Sequence, residues 1–289
     1  MSERAENDHE HQSKSLHKTD NNWCTRIVDQ LEQSDLPDRL KLIRRLKNCA
    51  QYRQHGLNSG KKRNYCNLRY LCKACADMHA NSIAMEYATK ILSLMIEFEL
   101  YPLFMTLRPK AGIDLVQQLI QLDQILKKIQ DQRKNHFYKG KRFTEFCRFQ
   151  YSLVMLEVIR TTDNQLWFPH VHSIVLNPSS NALFNLPVLA NEWRKISESE
   201  VPPDVETVKA ADLFRNNFRS QNLTLQTQGT IFRNLKKMIE YPFKMVHKDQ
   251  SPLLCPSDQI AVHSAMRRRQ RIREWTTPKN YLQTHINKL

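Results

Sequence analysis

Apolar residues recur every three or four positions along much of the chain, the spacing of one face of an α-helix. The stretches with this spacing are about 24–55 with a break at Pro37, 82–100, 113–132, 186–197, 205–217, 226–240 and a basic stretch at 258–275. We therefore predict a largely helical chain. Residues 1–20 are polar and charged with few large apolar groups, so we expect a disordered tail there.

Three shorter apolar segments in the centre of the chain have the length and boundaries of β-strands. They are LFMTL at 103–107, the second half of 143–160, and WFPHVHSIVL at 167–176. The turn residues TTDNQL separate the last two segments, so we expect these strands to form an antiparallel hairpin. The order of the elements predicts an α+β fold with a central antiparallel sheet flanked by helices.

The pattern also predicts how the chain is divided. After the tail we expect a helical region at 21–95 that binds zinc and DNA, a sheet-containing core at 96–250, and a basic C-terminal helix and tail at 251–289. A length of 289 residues suits one sizeable domain with an appendage, or two modest domains.

Charge narrows the range of partners. Lysine and arginine number 44 against 29 acidic residues, giving a net charge of +15, and such an excess favours nucleic acid or an anionic membrane surface. No apolar run approaches the roughly 20 residues of a membrane helix. The N-terminus MSERAENDHEHQSKS has no apolar centre typical of a secretory signal. We therefore expect a cytoplasmic protein that binds nucleic acid and does not bind membranes.

The seven cysteines, in a chain without an apparent export signal, argue for a reducing compartment. Three of them cluster as Cys66, Cys72 and Cys75, and Cys49 lies upstream. Structural zinc takes four cysteine or histidine ligands, and C-x2-C is a common half-site. We predict a zinc site made by these four cysteines, with His79 as a substitute for Cys49; unliganded buried thiols are the alternative.

A second candidate metal site lies in the predicted hairpin. His170 and His172 are two positions apart, so their side chains project from the same face of the strand. Antiparallel pairing would place Glu157 opposite or diagonal to them. Two histidines and one carboxylate leave metal positions open for substrate oxygens, and Mg2+ or Mn2+ there would act as a Lewis acid. Half-buried strand histidines beside a solvated carboxylate are the alternative, and another His-x-His pair occurs at 9–11.

Phosphate chemistry at such a metal needs an attacking oxygen. Tyr241 and Tyr281 are the tyrosines downstream of the histidines, and Tyr241 is followed three residues later by Lys244. On a helical turn these two residues are neighbours, so the ammonium could favour the phenolate and contact a bound phosphate. A core tyrosine at the end of an amphipathic helix is the alternative.

Taken in order, these segments resemble the rolling-circle plasmid replication initiators of the HUH endonuclease superfamily, of the single-tyrosine type with a cysteine-rich N-terminal region. The resemblance covers about residues 45–275. The matching positions are Cys66, Arg69, Cys72 and Cys75, then Phe104–Leu107, then Phe168–Val175, and finally Tyr241 with Lys244.

The resemblance implies a ferredoxin-like or RRM-like HUH core and a plasmid initiator. Tyr241 would attack a phosphodiester at the plasmid origin, become linked to the 5′ phosphate, and free a 3′ hydroxyl that primes synthesis before strand transfer. Host helicase and polymerase are the implied partners. The chain departs from relatives that carry a glutamate four residues before the tyrosine, because Lys237 stands there. Pro242 fits if a new helical turn begins beside Tyr241.

Basic segments are expected to contact the DNA backbone, which positions DNA without reading its sequence. KGKRF at 139–143 is one of them. The other expected contacts are Lys61, Lys62, Arg63, Arg69, Arg267, Arg268, Arg269 and Arg271. Two functions remain as alternatives: a transposase or relaxase with the same chemistry, and a non-catalytic zinc-containing DNA-binding regulator.

Overall fold

The structure is a computed structural model. It describes residues 23–55, 65–161, 165–178, 184–207, 224–245, 254–267 and 269–277. The chain forms two compact units, the cysteine unit (residues 1–80 and 243–267) and the sheet unit (residues 81–242 and 268–289). The chain therefore enters each unit twice, whereas the predicted regions 21–95, 96–250 and 251–289 are continuous.

The described residues form seven α-helices and five β-strands. The helices are α1 (residues 23–32), α2 (Arg39–His55), α3 (Lys73–Glu97), α4 (Leu115–Lys139), α5 (Leu186–Ser197), α6 (Leu225–Glu240) and α7 (Pro256–Met266). The strands are β1 (Tyr101–Leu107), β2 (Tyr151–Arg160), β3 (Trp167–Asn177), β4 (Asp204–Thr207) and β5 (Ile272–Thr276).

The five strands form one antiparallel sheet in the order β4-β1-β3-β2-β5, flanked by helices, as the predicted α+β class requires. The predicted hairpin of β2 and β3 is confirmed, with Tyr151 opposite Leu176 at one end and Arg160 opposite Trp167 at the other. β3 is the central strand of the sheet. It is buried along nearly its whole length, and its side chains on both faces are therefore covered.

Two predicted helices are corrected at the edges of this sheet. The helix expected at 205–217 begins instead as strand β4, and residues 208–217 lie outside the described residues. The basic helix expected at 258–275 ends at Met266, and Ile272–Thr276 is strand β5. Trp275 is only 4% exposed there, because pairing with β2 turns it into the core of the sheet unit.

Helix α4 is fixed to the sheet unit at its N-terminal end. Gly112 exchanges backbone hydrogen bonds with Trp167 at 3.0 and 2.7 Å, which ties the start of the helix to the start of β3. Asp114 caps the helix by accepting hydrogen bonds from the amides of Val116 and Gln117. Gly140 ends it in the left-handed conformation with φ of 60°, where a residue without Cβ is favoured.

The cysteine unit has its own hydrophobic core. Leu31 of α1 and Leu46 of α2 are fully buried in it, and Pro37 lies between the two helices, where the sequence pattern predicts the break. Cys49, Cys66 and Cys75 belong to the same core. Among the described residues of either unit, no helix combines the length and apolar character needed to cross a bilayer.

Candidate functional site

The β2–β3 hairpin brings the predicted ligand residues together on one face of the sheet. Glu157 lies directly opposite His170, and Met155 lies opposite His172, so Glu157 is diagonal to the second histidine. The two imidazole rings are 4.8 Å apart between centroids and nearly perpendicular. This arrangement follows from the two-residue period of a strand together with the register set by the hairpin.

One carboxylate oxygen joins the three side chains. Oε2 of Glu157 lies 2.7 Å from Nε2 of His170 and 2.7 Å from Nε2 of His172. All three residues are buried. Burial raises the pKa of Glu157, but the hydrogen bonds and positive charge supplied by the histidines outweigh burial and lower that pKa from 4.5 to about 2.

The Nδ1 atom of each imidazole also lies within hydrogen-bond distance of a partner. Nδ1 of His170 lies 3.2 Å from the carbonyl oxygen of Phe168, which can only accept, so Nδ1 is the donor. Nδ1 of His172 lies 3.3 Å from Oγ1 of Thr106 on β1, and Phe104 stacks on the His172 ring at 5.4 Å. Such contacts fix ring orientation and, in a neutral ring with a protonated Nδ1, leave the Nε2 lone pair free for a cation.

These side chains fit a metal ion. Glu157, His170 and His172 each offer one ligand atom, and the three atoms lie within 4.8 Å of one another. The group could hold a divalent ion, with two nitrogens and one oxygen contributed from one side. A facial set of this kind leaves the other coordination positions open.

Tyr241 lies on the same side of the sheet unit. Helix α6 ends at Glu240, and a 3-10 turn over Tyr241–Phe243 follows, which accommodates Pro242 as predicted. The Tyr241 ring is 5.7 Å from the His172 ring between centroids and perpendicular to it. Its side chain is 54% exposed, so the phenol is accessible.

Electrostatics at Tyr241 oppose ionisation of the phenol in the metal-free protein. The negative charge of Glu157 raises the pKa of Tyr241, and partial burial raises it further. A cation bound by Glu157, His170 and His172 would offset that charge. The pKa of Tyr241 therefore depends on whether the ligand group carries a metal.

Arg271 fastens the tyrosine turn to the sheet. Its Nε donates to the carbonyl oxygen of Leu156 on β2 at 3.1 Å, and its NH2 donates to the carbonyl oxygen of Pro242. The guanidinium thus links the residue before Glu157 to the residue after Tyr241. Its predicted contact with DNA phosphate stays a prediction, and the structure shows this internal link.

Three other charged residues lie close to Tyr241 in the sequence. Lys244 is exposed just beyond the 3-10 turn and belongs to the cysteine unit, whereas Tyr241 belongs to the sheet unit. Glu240 forms an ion pair with Lys236 at 3.3 Å, one helical turn before it. Lys237 accepts the backbone hydrogen bond from Tyr241 through its carbonyl oxygen.

The four predicted zinc ligands converge in the cysteine unit. The sulfur of Cys75 lies 3.4 Å from that of Cys66 and 3.8 Å from that of Cys49, and Cys49 lies 3.9 Å from Cys72. All four sulfurs lie within 4.8 Å of one another, so the cluster could hold zinc. Cys49 completes the set, and His79, the alternative ligand, instead lies edge-on to the ring of Phe243.

Hydrogen bonding among the thiols separates their pKa values. Hydrogen bonds with Cys66, Cys72 and Cys75 lower the pKa of Cys49, and hydrogen bonds with Cys49, Cys66 and Cys75 raise the pKa of Cys72. At Cys75 the hydrogen bond with Cys49 raises the pKa, but those with Cys66 and Cys72 outweigh it and lower the pKa to about 7. A metal bound by these sulfurs would displace the remaining thiol protons, since metal binding deprotonates the ligands.

The predicted DNA contacts fall into three groups. Lys61, Lys62, Arg63 and Arg268 lie outside the described residues. Arg69 is exposed. Arg267 donates to Asp38 at 2.6 Å, and Arg269 pairs with Asp123, so both guanidinium groups have partners within their own units. Each described arginine between residues 267 and 271 therefore forms a hydrogen bond or ion pair with another residue of the protein.

Thr106 is the site residue that sequence reasoning did not assign. Its segment LFMTL predicts a strand, but its contact with His172 depends on the pairing of β1 with β3, in which Thr106 lies directly opposite His172. A buried threonine at the end of an apolar strand was the available signal.

Comparison with known proteins gave no match of any kind: no family model, no curated protein and no solved structure is similar to this chain.

Proposed function

We propose that this protein is a metal-dependent DNA nickase and strand transferase of the HUH type, acting as an initiator of plasmid rolling-circle replication. The observation that carries the proposal is the convergence of Glu157, His170 and His172 beside the exposed ring of Tyr241. Its substrate is the plasmid origin, and its partners are host helicase and polymerase. The resemblance of the motifs supports the class of reaction, and the geometry supports the residues.

The ligand group supplies the electrophilic half of this reaction. Glu157, His170 and His172 would hold Mg2+ or Mn2+, which would supply a Lewis acid for a phosphate oxygen. Phe168 and Thr106 keep the two imidazoles oriented through their Nδ1 atoms. Because these supports are a backbone carbonyl and a buried hydroxyl, the ligand atoms stay in place before substrate arrives.

Tyr241 supplies the nucleophile. Its phenolic oxygen attacks the phosphorus of a phosphodiester, a phenol O–P bond forms, and the bond from phosphorus to the 3′ oxygen breaks. The phenol proton is transferred overall to the departing 3′ oxygen. The products are a 5′-phosphotyrosine and a strand with a free 3′ hydroxyl, and the reverse reaction with another 3′ hydroxyl rejoins a strand.

Charge distribution fits a DNA substrate. The net charge of +15 attracts a polyanion, and counterion release makes such binding favourable and salt-dependent. The cysteine unit adds a cluster that we propose holds a structural zinc ion, with exposed Arg69 close to it in sequence. A metal there would hold the 65–75 segment, which is too short to form its own core.

Incubation of a supercoiled origin plasmid with Mn2+ tests the proposal. Wild-type protein is expected to yield nicked plasmid and a covalent DNA–protein product. Tyr241→Phe is expected to lose both, because the ring remains but the attacking oxygen is gone. His170→Ala and His172→Ala are each expected to abolish cleavage while DNA binding persists.

Tyr281→Phe is the matched control, since Tyr281 is the other tyrosine downstream of the histidines, and it should cleave like wild type. Peptide mass mapping should place the adduct on Tyr241. An adduct on Tyr281, or cleavage that survives loss of either histidine, would refute the assigned site. DNA binding without nicking in any divalent metal would favour the alternative suggested by the cysteine cluster, a zinc-containing DNA-binding regulator.

A further inference from the structure

A surface at the C-terminal end of helix α4 combines exposed aromatic rings with positive charge. It lies where helix α4 ends and the chain turns towards β2, within the sheet unit. Tyr138 is 69% exposed and Phe143 is 43% exposed. We call this surface the basic–aromatic patch; its residues are Lys134, Tyr138, Lys139, Lys141, Arg142 and Phe143, all exposed.

The patch is built by a defined chain reversal. The amide of Gly140 donates to the carbonyl oxygen of His136, and the amide of Lys141 donates to that of Asn135, both at 3.1 Å. Nδ1 of His136 lies 3.0 Å from the carbonyl oxygen of Lys141, so this nitrogen donates. These bonds fold the segment after the helix back beside its last turn, where Phe143 packs against His136 and Tyr138 is exposed.

Further aromatic rings and guanidinium groups pack beneath the exposed surface of the patch. Arg148 lies over the Phe143 ring at 5.3 Å, and Phe143 meets the ring of His136 edge-on at 5.2 Å. His136 in turn meets Phe137 at 5.1 Å, and Arg133 lies over Phe137 at 5.3 Å. The exposed face of Phe143 is therefore supported from behind by a cation and an imidazole, which limits its movement.

The acidic groups beside the patch are engaged. Both carboxylate oxygens of Glu145 accept from Arg148, at 2.5 and 3.1 Å, and one also accepts from the amide of Asn185. Glu192 accepts from the amide of Glu145 at 2.8 Å. The charge of Glu192 also acts on Arg142, so Lys134, Lys139 and Lys141 carry the exposed positive charge of the patch.

We propose that the basic–aromatic patch binds single-stranded DNA, with Tyr138 and Phe143 stacking on bases and the surrounding cations contacting phosphates. Aromatic faces set among cations are the general means of binding single strands, because every base has a face that can stack. A duplex keeps its base faces covered, so exposed rings would gain little from it. The choice of DNA among polyanions rests on the proposed function.

The position of the patch suggests what it does for the reaction. Helix α4 begins beside Trp167, close in sequence to His170, and at about 1.5 Å per residue it carries Tyr138 about 35 Å from that end. The patch therefore lies at the opposite end of α4 from the contact with Trp167. It would hold the strand at a distance from the cleaved phosphodiester and keep it bound after nicking.

Equilibrium binding of an oligothymidylate long enough to span the helix tests this proposal. All proteins carry Tyr241→Phe and are assayed without divalent metal, so the result does not depend on cleavage. Tyr138→Ala with Phe143→Ala should weaken binding at least about fivefold for each lost ring. Tyr138→Phe with Phe143→Tyr, which keeps both rings, should bind like the parent.

Charge is tested separately by salt dependence. Lys139→Gln with Lys141→Gln should reduce the slope of log affinity against log salt by about 0.7 for each lost cation. The matched control is Lys127→Gln with Lys128→Gln, two exposed lysines on the same helix without exposed rings nearby, and it should leave ring-dependent binding intact. Thermal melts check that each variant is folded.

Two results would overturn the proposed role of the patch. One is that Tyr138→Ala with Phe143→Ala binds the oligothymidylate as tightly as Tyr138→Phe with Phe143→Tyr. The other is that the parent binds duplex DNA more tightly than single-stranded DNA. Failure of the nicking assay with intact patch binding would count against the proposed function alone. In protein that retains Tyr241, the two-alanine variant should lose cleavage efficiency on a long single strand.

Discussion

Glu157 has two opposing effects at the candidate site. Its carboxylate completes the ligand group with His170 and His172, and the same charge raises the pKa of the phenol that is proposed to attack. A tyrosine beside an unneutralised carboxylate is a weaker acid than a free one, whose pKa is about 10. A metal ion bound there would therefore also offset a charge that keeps Tyr241 protonated.

Replacement of Glu157 by glutamine tests this coupling. In metal-free protein, Glu157→Gln should lower the pKa of Tyr241, so the phenol loses its proton at a lower pH than in wild type. The sign follows because the neutral amide no longer disfavours the phenolate. Titration of the labelled tyrosine Cζ by NMR measures it, with Tyr241→Phe assigning the signal. An unchanged or raised pKa would show that Glu157 does not control this phenol.

The candidate site was largely predictable at the level of single residues. The two-residue period of a strand places His170 and His172 on one face, and the turn between β2 and β3 brings Glu157 across from them. Thr106 could not be assigned in this way. Its contact with His172 depends on which strand pairs with the other edge of β3, and a single sequence does not state this pairing.

Among the secondary-structure elements, the edge strands were predicted as helix. β4 has only four residues, and β5 has five, with arginine and glutamate within the segment IREWT. Such short polar segments carry little periodicity, and they become strands because β1 and β2 offer open edges to pair with. The long elements α4, β2 and β3 have strong patterns and were predicted within a few residues of one end or both.

Strand β5 should be important for the stability of the sheet unit. Trp275 is 4% exposed and stacks with Phe149 at 6.4 Å between ring centroids. Trp275→Ala should lower the free energy of unfolding by about 3–5 kcal/mol, since it removes a large buried side chain and leaves a cavity. Urea unfolding followed by circular dichroism measures it.

The neighbouring Thr276 is exposed, so Thr276→Ala serves as the control and should change stability by less than about 0.5 kcal/mol. Equal effects of the two substitutions would contradict the burial of Trp275. Loss of β5 would also release Arg271, which precedes the strand and holds the tyrosine turn. Trp275→Ala should therefore reduce nicking as well as stability.

At the scale of the whole molecule, each compact unit carries one of the two candidate metal groups. The cysteine cluster lies in the core of the cysteine unit, where three of its members are among the buried residues that pack together. The histidine and glutamate group lies on the sheet. Loss of one metal should therefore affect one unit first, since each group is made only by residues of its own unit.

Zinc removal tests this separation. Purified protein should contain about one equivalent of zinc, and chelation or Cys72→Ala should reduce hydrogen-exchange protection in α2 and at the start of α3. Protection of β2 and β3 should persist. Cys255→Ala is the control, because this cysteine is exposed and outside the cluster. Absence of zinc, or unchanged protection after its removal, would reject a structural metal in the cysteine unit.

The sequence by itself determined the fold class, the hairpin and both candidate metal groups, because strand period, turn residues and cysteine spacing are local properties. Tertiary structure alone decided that Tyr241 faces His172, that Thr106 supports the same ring, and that Arg271 is an internal link. These contacts join residues far apart in the chain. They depend on sheet order and on where α6 ends, neither of which a local pattern specifies.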